Sequence, residues 1–259
     1  MDLNLTGKNA LVCGASRGIG RAAAAELARM GAHVTVVARS EDKLKAVVVM
    51  LDTSKGQQHD YMVADFSDPY ALQSKLQGLH KTFHILVNNT GGPPAGPVHT
   101  AEIAAFEAAF GQHLLCNQVL VQALLPGMQK AGYGRIINVI STSVKAPLKG
   151  LGVSNTIRGA VANWAKTLSL EVAKDGITVN NVLPGATDTD RLDEIIAGKA
   201  DKQGKSKDEI IEEEKSHIPA GRFGKPEELA AAIAFLASPA AAYINGINLP
   251  VDGGRTGNL

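Results

Sequence analysis

Gly14-Ala15-Ser16-Arg17-Gly18-Ile19-Gly20 follows the apolar run Asn9-Ala10-Leu11-Val12-Cys13 and opens an alanine-rich helical pattern. Glycines at such a strand–helix junction allow a tight turn, close approach of backbone to a pyrophosphate, and close packing of helix on strand. The helix N-terminus then offers N–H donors and a positive dipole end to phosphate. This stretch predicts a dinucleotide-binding β–turn–α unit at the start of the chain.

The same alternation continues outward. Apolar, β-branched runs predict strands over 9–13, 33–38, 60–64, 84–88, 135–140, 177–182 and 247–251. Their near-continuous hydrophobicity suits strands buried on both faces. Helical patterns lie between them, over 18–30, 41–51, 69–79, a long stretch near 100–130, 153–174 and 226–237. Strand–helix alternation predicts an α/β, single-domain Rossmann fold over 1–259: a doubly wound parallel seven-stranded sheet with helices on both faces. Segment 190–217 is charged and strand-free, with two short helical pieces around 199–207. It is either a solvated surface excursion or a substrate lid. Its place directly after a strand end, where such folds bind ligands, favours the lid.

A chain of 259 residues with 45% apolar content can bury one substantial core. The net charge of +1, with both signs interspersed, gives no footprint for nucleic acid or for an anionic membrane surface. Met1-Asp2-Leu3-Asn4-Leu5 carries no basic region followed by an apolar stretch, so no secretory signal is read. No apolar run approaches the ~20 residues that span a bilayer. Cys13 and Cys116 alone make no disulfide or metal framework. The expectation is a cytoplasmic protein with reduced cysteines and no metal, nucleic-acid or membrane partner.

The Gly-x-x-x-Gly-x-Gly spacing is that of the short-chain dehydrogenase/reductase family, and further motifs in order strengthen the resemblance. Asn88-Asn89-Thr90-Gly91 resembles the family's Asn-Asn-Ala-Gly after the fourth strand. Pro184-Gly185 with Thr187 and Thr189 resembles the segment that contacts the nicotinamide end. Gly221-Arg222-Phe223-Gly224-Lys225-Pro226-Glu227-Glu228 and Val251-Asp252-Gly253-Gly254 resemble the C-terminal pattern of the β-ketoacyl-carrier-protein-reductase-like branch. The resemblance implies nicotinamide binding by Gly14, Ser16, Arg17, Gly18, Ile19, Gly20, Asn89, Gly91, Pro184, Gly185, Thr187 and Thr189. It also implies Asp65 at the adenine and a homotetramer packed through the helices near 100–130 and 153–174.

Charge selects between the two nicotinamide cofactors. A carboxylate after the second strand would accept from a ribose 2′-hydroxyl and repel a 2′-phosphate. Ala38-Arg39-Ser40 stands there instead, and Arg17 lies in the glycine loop. Two guanidiniums favour bidentate phosphate binding, so NADP(H) is expected over NAD(H). The alternative is that Arg17 and Arg39 are solvated surface charges.

The family's proton-transfer groups are a serine after the fifth strand, a tyrosine acid, a lysine four residues later, and an asparagine. By that resemblance Ser141 fills the serine place, but Ser154 stands for the tyrosine, Arg158 for the lysine and His113 for the asparagine. No tyrosine occurs between Tyr133 and Tyr243. A serine hydroxyl donates a hydrogen bond but is a poor source of a whole proton. An arginine keeps its charge, binds hydroxyls and stabilises an oxyanion, yet gives up no proton at ordinary pH. His113 is read either as a proton relay titrating near neutrality or as a buried structural histidine. Lys145 and Lys149, in the following loop, are cationic donors from the substrate side or ordinary solvated charges.

Three functions remain open on the sequence. One is an NADP(H)-dependent oxidoreductase moving hydride between nicotinamide and a small carbonyl or alcohol through an atypical proton-transfer site. In it Ser141 and Ser154 donate to the oxyanion and Arg158 supports them electrostatically. A second is a catalytically silent NADP(H)-binding sensor or partner subunit. A third is a non-redox enzyme on the same scaffold, as in halohydrin dehalogenases; the retained glycine loop and absent tyrosine count against it. The first is favoured because the resemblance extends to the nicotinamide end.

Overall fold

The computed structural model describes residues 1–79 and 81–257. His80, Asn258 and Leu259, part of the expected 1–259 domain, lie outside the described residues. Among the described residues, seven parallel strands form one sheet: β1 (Asn9–Cys13), β2 (His33–Ala38), β3 (Asp60–Val63), β4 (Ile85–Asn88), β5 (Gly134–Val139), β6 (Ile177–Pro184) and β7 (Asn248–Val251). Their order is β3-β2-β1-β4-β5-β6-β7. β1 pairs with β2 on one side and β4 on the other, so strand addition reverses direction beside β1. That reversal opens a crevice beyond the carboxyl ends of β1 and β4, where doubly wound sheets bind ligands.

Uninterrupted apolar strands serve two cores because successive side chains point to opposite faces. Ala10 and Val12 of β1 and Val34, Val36 and Ala38 of β2 enter one core. The helices α1 (Gly18–Arg29), α2 (Glu41–Met50) and α9 (Pro226–Ala237) cover it. Leu11, Cys13 and Val37 enter the opposite core, with Leu86 of β4 and Ile136 of β5. There α3 (Pro69–Leu76), α5 (Cys116–Ala131) and α6 (Gly152–Val172) close the face. The α/β fold and doubly wound seven-stranded sheet expected from the alternation are therefore present.

Two stretches differ in detail from the sequence reading. The long helix expected near 100–130 is divided into a 3-10 turn at Val98–Thr100, α4 (Ile103–Phe110), a π turn over Gly111–Leu115, and α5. A π turn carries one residue more than an α turn and commonly marks functional sites. Here it brings His113 to 1% exposure. Segment 190–217 is more helical than its charge suggested, with α7 (Asp190–Gln203) and α8 (Lys207–Ser216). Gly204 ends α7 at φ 65°, and Ser206 with Glu209 forms a capping box that starts α8. Leu192, Ile196, Ala200 and Ile210 give this helix pair a small core of its own.

Candidate functional site

The glycine loop is tight where the sequence requires it. Gly14 has φ +60° and Gly18 φ +53°, conformations that L side chains rarely adopt. A Cβ at Gly14 would overlap the Asn89 carbonyl oxygen, and one at Gly20 would overlap the Gly14 carbonyl and lie 2.7 Å from Asn89 Nδ2. Asn89, after β4, fastens the loop by donating from Nδ2 to the Cys13 and Gly14 carbonyls at 3.3 Å each. Arg17 is the N-cap of α1 and offers no side-chain cap, while Ser16 stands beside it in the loop. Among the described residues the N-cap side chain accepts from no first-turn N–H group of α1, the arrangement that can receive phosphate. Ile19 packs beneath, against the first core. This cradle fits a dinucleotide pyrophosphate.

The two arginines read for the 2′-phosphate have different surroundings. Arg39 is exposed past the end of β2 and makes no ion pair among the described residues. Asp65 lies within its electrostatic reach, and its carboxyl is held below the usual range chiefly by the Ser67 backbone N–H, with Arg39 adding to the effect. Arg17 instead pairs with Asp190 at 3.0 Å and Glu194 at 3.7 Å, both on α7. At the other end of the crevice, Gly185 follows Pro184 and donates to the Val251 carbonyl at 3.1 Å. A Cβ there would lie 2.7 Å from Asp252 Cα. Thr187 Oγ1 donates to the Gly185 carbonyl and Thr189 Oγ1 to the Thr187 carbonyl, each at 3.2 Å, turning the chain into α7. Gly91 leaves open space at its Cβ position, and its carbonyl accepts from Gln112 Nε2 at 3.2 Å.

Arg158 is the centre of the catalytic candidates. Its α6 position carries the side chain inward to 7% exposure. Nη1 donates to the Val139 carbonyl at 3.1 Å and Nη2 to the Thr90 carbonyl at 3.3 Å, joining the ends of β5 and β4. No carboxylate pairs with it among the described residues, and burial alone pulls its pKa down to about 10. The guanidinium therefore stays cationic at neutral pH. Ser141 lies two residues beyond Val139, and its Oγ accepts from Ser143 N at 3.1 Å, so the hydroxyl still has a hydrogen to donate. Ser154 precedes Arg158 by one helical turn on α6, and its side chain makes no hydrogen bond within the described residues.

His113 is joined to this group through Thr90. Its Nδ1 lies 2.6 Å from Thr90 Oγ1, while Nε2 is buried without a hydrogen-bond partner among the described residues. Burial first, and the Arg158 charge second, push the imidazole down to about 3. The expectation of a histidine titrating near neutrality is thus corrected: the ring is neutral at pH 7 because a dry site next to a fixed cation rejects a second positive charge. Thr90 is the residue that sequence reasoning passed over. It contacts both His113 and Arg158, and its departure from the alanine of the resembling motif was the available signal.

Below these groups an asparagine ladder crosses four strands. Asn88 Nδ2 donates to Asn138 Oδ1 at 2.8 Å, Asn138 Nδ2 to Asn181 Oδ1 at 2.9 Å, and Asn181 Nδ2 to Asn248 Oδ1 at 2.8 Å. The pairs are in register across β4-β5-β6-β7. Above, the loop after β4 is tied to the loop before α6: Gly96 N donates to the Gly150 carbonyl at 2.8 Å, and Gly152 N to the Gly96 carbonyl at 3.0 Å. Arg191 of α7 reaches the same loop through the Pro93 carbonyl at 3.2 Å.

Comparison with known proteins agrees with this geometry. The family described as enoyl-(acyl carrier protein) reductase matches residues 14–256. The 3-oxoacyl-(acyl-carrier-protein) reductase FabG of Vibrio cholerae is 37% identical over 258 residues, covering 97% of this chain and 98% of that protein. A chloroplastic tropinone reductase homolog of Arabidopsis thaliana is 33% identical over 259 residues, 98% of this chain and 77% of that protein. The crystal structure of L-sorbose reductase from Gluconobacter frateurii, complexed with NADPH and L-sorbose, superposes with a TM-score of 0.93 at 31% identity, over 100% of both chains. Matches of this extent, together with the glycine loop, Asn89 and the Pro184–Thr189 turn, make the chain a member of the short-chain dehydrogenase/reductase family.

Proposed function

We propose that the protein is an NADP(H)-dependent oxidoreductase that moves hydride between nicotinamide and a small carbonyl or alcohol substrate, with an atypical proton-transfer site. The observation that carries it is the glycine loop held by Asn89 against an uncapped α1, at the strand-order reversal of a family whose named relatives are reductases. In this reading Gly14, Ser16, Gly18, Ile19, Gly20, Asn89 and Gly91 hold the pyrophosphate end, and Pro184, Gly185, Thr187 and Thr189 the nicotinamide end. Asp65 contacts the adenine, while Arg39, joined by Arg17, receives the 2′-phosphate. The bound cofactor supplies the hydride. Ser141 and Ser154 donate to the substrate oxygen, and Arg158 holds its developing negative charge while also reaching the nicotinamide ribose. Helices α7 and α8 act as a lid over 190–217 on a single 1–259 domain.

A cytoplasmic homotetramer completes the proposal. Ile103, Phe110 and Leu115 on and after α4 and Leu170 on α6 are exposed apolar side chains, which support packing of these helices between subunits. Cys13 and Cys116 are free thiols, and no helix among the described residues is long and apolar enough to cross a membrane.

A screen of carbonyls with NADPH and of alcohols with NADP⁺ tests the reading. We expect turnover, lowered by Ser141→Ala and by Arg158→Ala. The second reading, a cofactor-binding sensor, is favoured by one observation: Ser154 and Arg158 supply no acid of tyrosine type. Tight NADPH binding with no turnover across the panel would establish it.

A further inference from the structure

A cavity of about 420 Å³ lies against the edge of the sheet, where β3 has no further strand beside it. Thr35, Asp60, Met62, Lys75, Lys81 and Phe83 stand in its wall. None of these belongs to the glycine loop, the Pro184–Thr189 turn or the group around Arg158. Strand alternation accounts for the wall. Thr35 pairs with Asp60 and Val37 with Met62 across β2 and β3, so these four side chains share the face turned to the second core. Val37 is packed under that core, whereas Thr35 and Asp60, toward the start of the strands, border the cavity. A mostly apolar wall with a few polar groups is the composition of a small-molecule site, and the volume lies within the usual range of about 300–1,000 Å³.

One polar group in it is without a use inside the protein. Thr35 is only 5% exposed, yet its hydroxyl has no hydrogen-bond partner among the described residues. A buried hydroxyl left unpaired is destabilising, and an acceptor entering the cavity would relieve it.

The charges in the wall have a net sign. Lys75 Nζ donates to the Val63 carbonyl. Lys81 makes no ion pair among the described residues, and its Nζ lies 5.7 Å from the centre of the Phe83 ring. Asp60 is the only carboxylate among the described residues of the wall, and its Oδ1 accepts from Tyr61 N at 2.7 Å. Partial burial lowers the pKa of the Lys81 ammonium, and the Asp60 charge opposes that without forming a pair. Two cations against one anion leave the cavity positive. Asp60 is the register partner of Thr35 and its charge reaches Lys81, so hydroxyl and ammonium stand at the same end.

We propose that this cavity binds a small amphipathic carboxylate, with its apolar body against Met62 and Phe83 and its carboxylate accepting from Lys81 and from the Thr35 hydroxyl. Such a ligand supplies the acceptor that Thr35 lacks and the counter-charge that Lys81 lacks, while covering the apolar wall.

Octanoate is the probe, titrated into the full chain with NADPH bound. Binding is followed by calorimetry and by the NMR signals of isotope-labelled methionine methyl groups. The chain has five methionines, and Met62 alone stands in the cavity wall. We expect saturable binding with a Kd of about 1 mM or tighter, and the largest shift at Met62 rather than at Met1, Met30, Met50 or Met128. The neutral 1-octanol and the cationic octylamine are expected to bind at least about tenfold more weakly than octanoate. Lys81→Met, a change at an exposed side chain, should weaken octanoate about tenfold and leave 1-octanol unchanged. Thr35→Val keeps the shape of the wall and should weaken octanoate about threefold or more. Absence of binding, binding that leaves Met62 unmoved, octylamine binding as tightly as octanoate, or octanoate binding indifferent to Lys81→Met each overturns the proposal.

Discussion

Arginine at position 158 spans a distance that changes what its neighbours do. Its two terminal nitrogens take the carbonyls of Val139 and Thr90 together, so the ends of β4 and β5 are joined by one side chain. Thr90 is fixed from its other side by His113. His113 is therefore a positioning residue for this pair of strand ends, and its neutrality follows from the burial and from the cation it helps to place. Because the folded protein depresses the imidazole from 6.5 to about 3, the unfolded chain binds the extra proton first. The stabilising contribution is complete above pH 6.5 and is lost as pH falls toward 3. We expect the wild-type urea midpoint to drop over that window and the drop to be shallower in His113→Asn. The same variant should lower kcat while the shape of its pH–rate profile between pH 6 and 8 stays unchanged; a changed shape would restore His113 as a titrating relay. Gly20 makes a separate point. A Cβ there would meet the Gly14 carbonyl and Asn89 Nδ2 together, so Gly20→Ala must displace the loop proposed to receive the pyrophosphate. Weakening of NADPH binding by about tenfold or more is expected, equal to roughly 1.4 kcal/mol, read by fluorescence titration.

The asparagine ladder is an element-scale device, since it belongs to no single strand. Asn138 stands in its middle, giving one hydrogen bond and taking one. Asn138→Ala strands Asn88 Nδ2 and Asn181 Oδ1 in buried surroundings, at about 1–3 kcal/mol for each unpaired group. A clear fall in the urea midpoint is expected, and an unchanged midpoint would mean that the amides repair themselves with other partners. The ladder also explains which features were legible in the sequence. Strands such as His33–Ala38 announce themselves because a continuous apolar run is a local property, and so is the glycine loop. The ladder joins residues 50, 43 and 67 positions apart, so it depends on strand register that only the folded sheet fixes. The contact from His113 to Thr90 and the one from Arg158 to Thr90 likewise bridge 23 and 68 positions. The π turn at Gly111–Leu115 escaped for a related reason: its apolar periodicity differs from an α-helix by a single residue within an otherwise helical stretch.

At the scale of the whole molecule, α7 and α8 are tied to the body at three separated places. Arg17 of the glycine loop holds Asp190 and Glu194, Arg191 holds the Pro93 carbonyl, and Glu214 of α8 pairs with Arg255 while its bond to Lys199 joins α8 to α7. Burial raises the Glu214 carboxyl, but its bond to Lys199 and the nearby Arg255 more than offset that and hold it low. Glu214 is therefore the firm tie. The Arg17 tie is different, because Arg17 and Asp190 keep 53% and 68% of their side-chain surface exposed. Exposed pairs of this kind contribute little and exchange partners readily. In the proposed cofactor site, a 2′-phosphate near Arg39 competes with Asp190 for the same guanidinium. Asp190→Asn removes the stronger competitor while leaving the start of α7 in place. We expect this variant to bind NADPH about two- to fivefold more tightly, the range an exposed ion pair can supply. Binding of NADH, which carries no 2′-phosphate, should be unchanged. An equal gain for both cofactors would place the effect in lid opening rather than in phosphate recognition, and no change in either would show that Arg17 stays with α7 when the dinucleotide is bound.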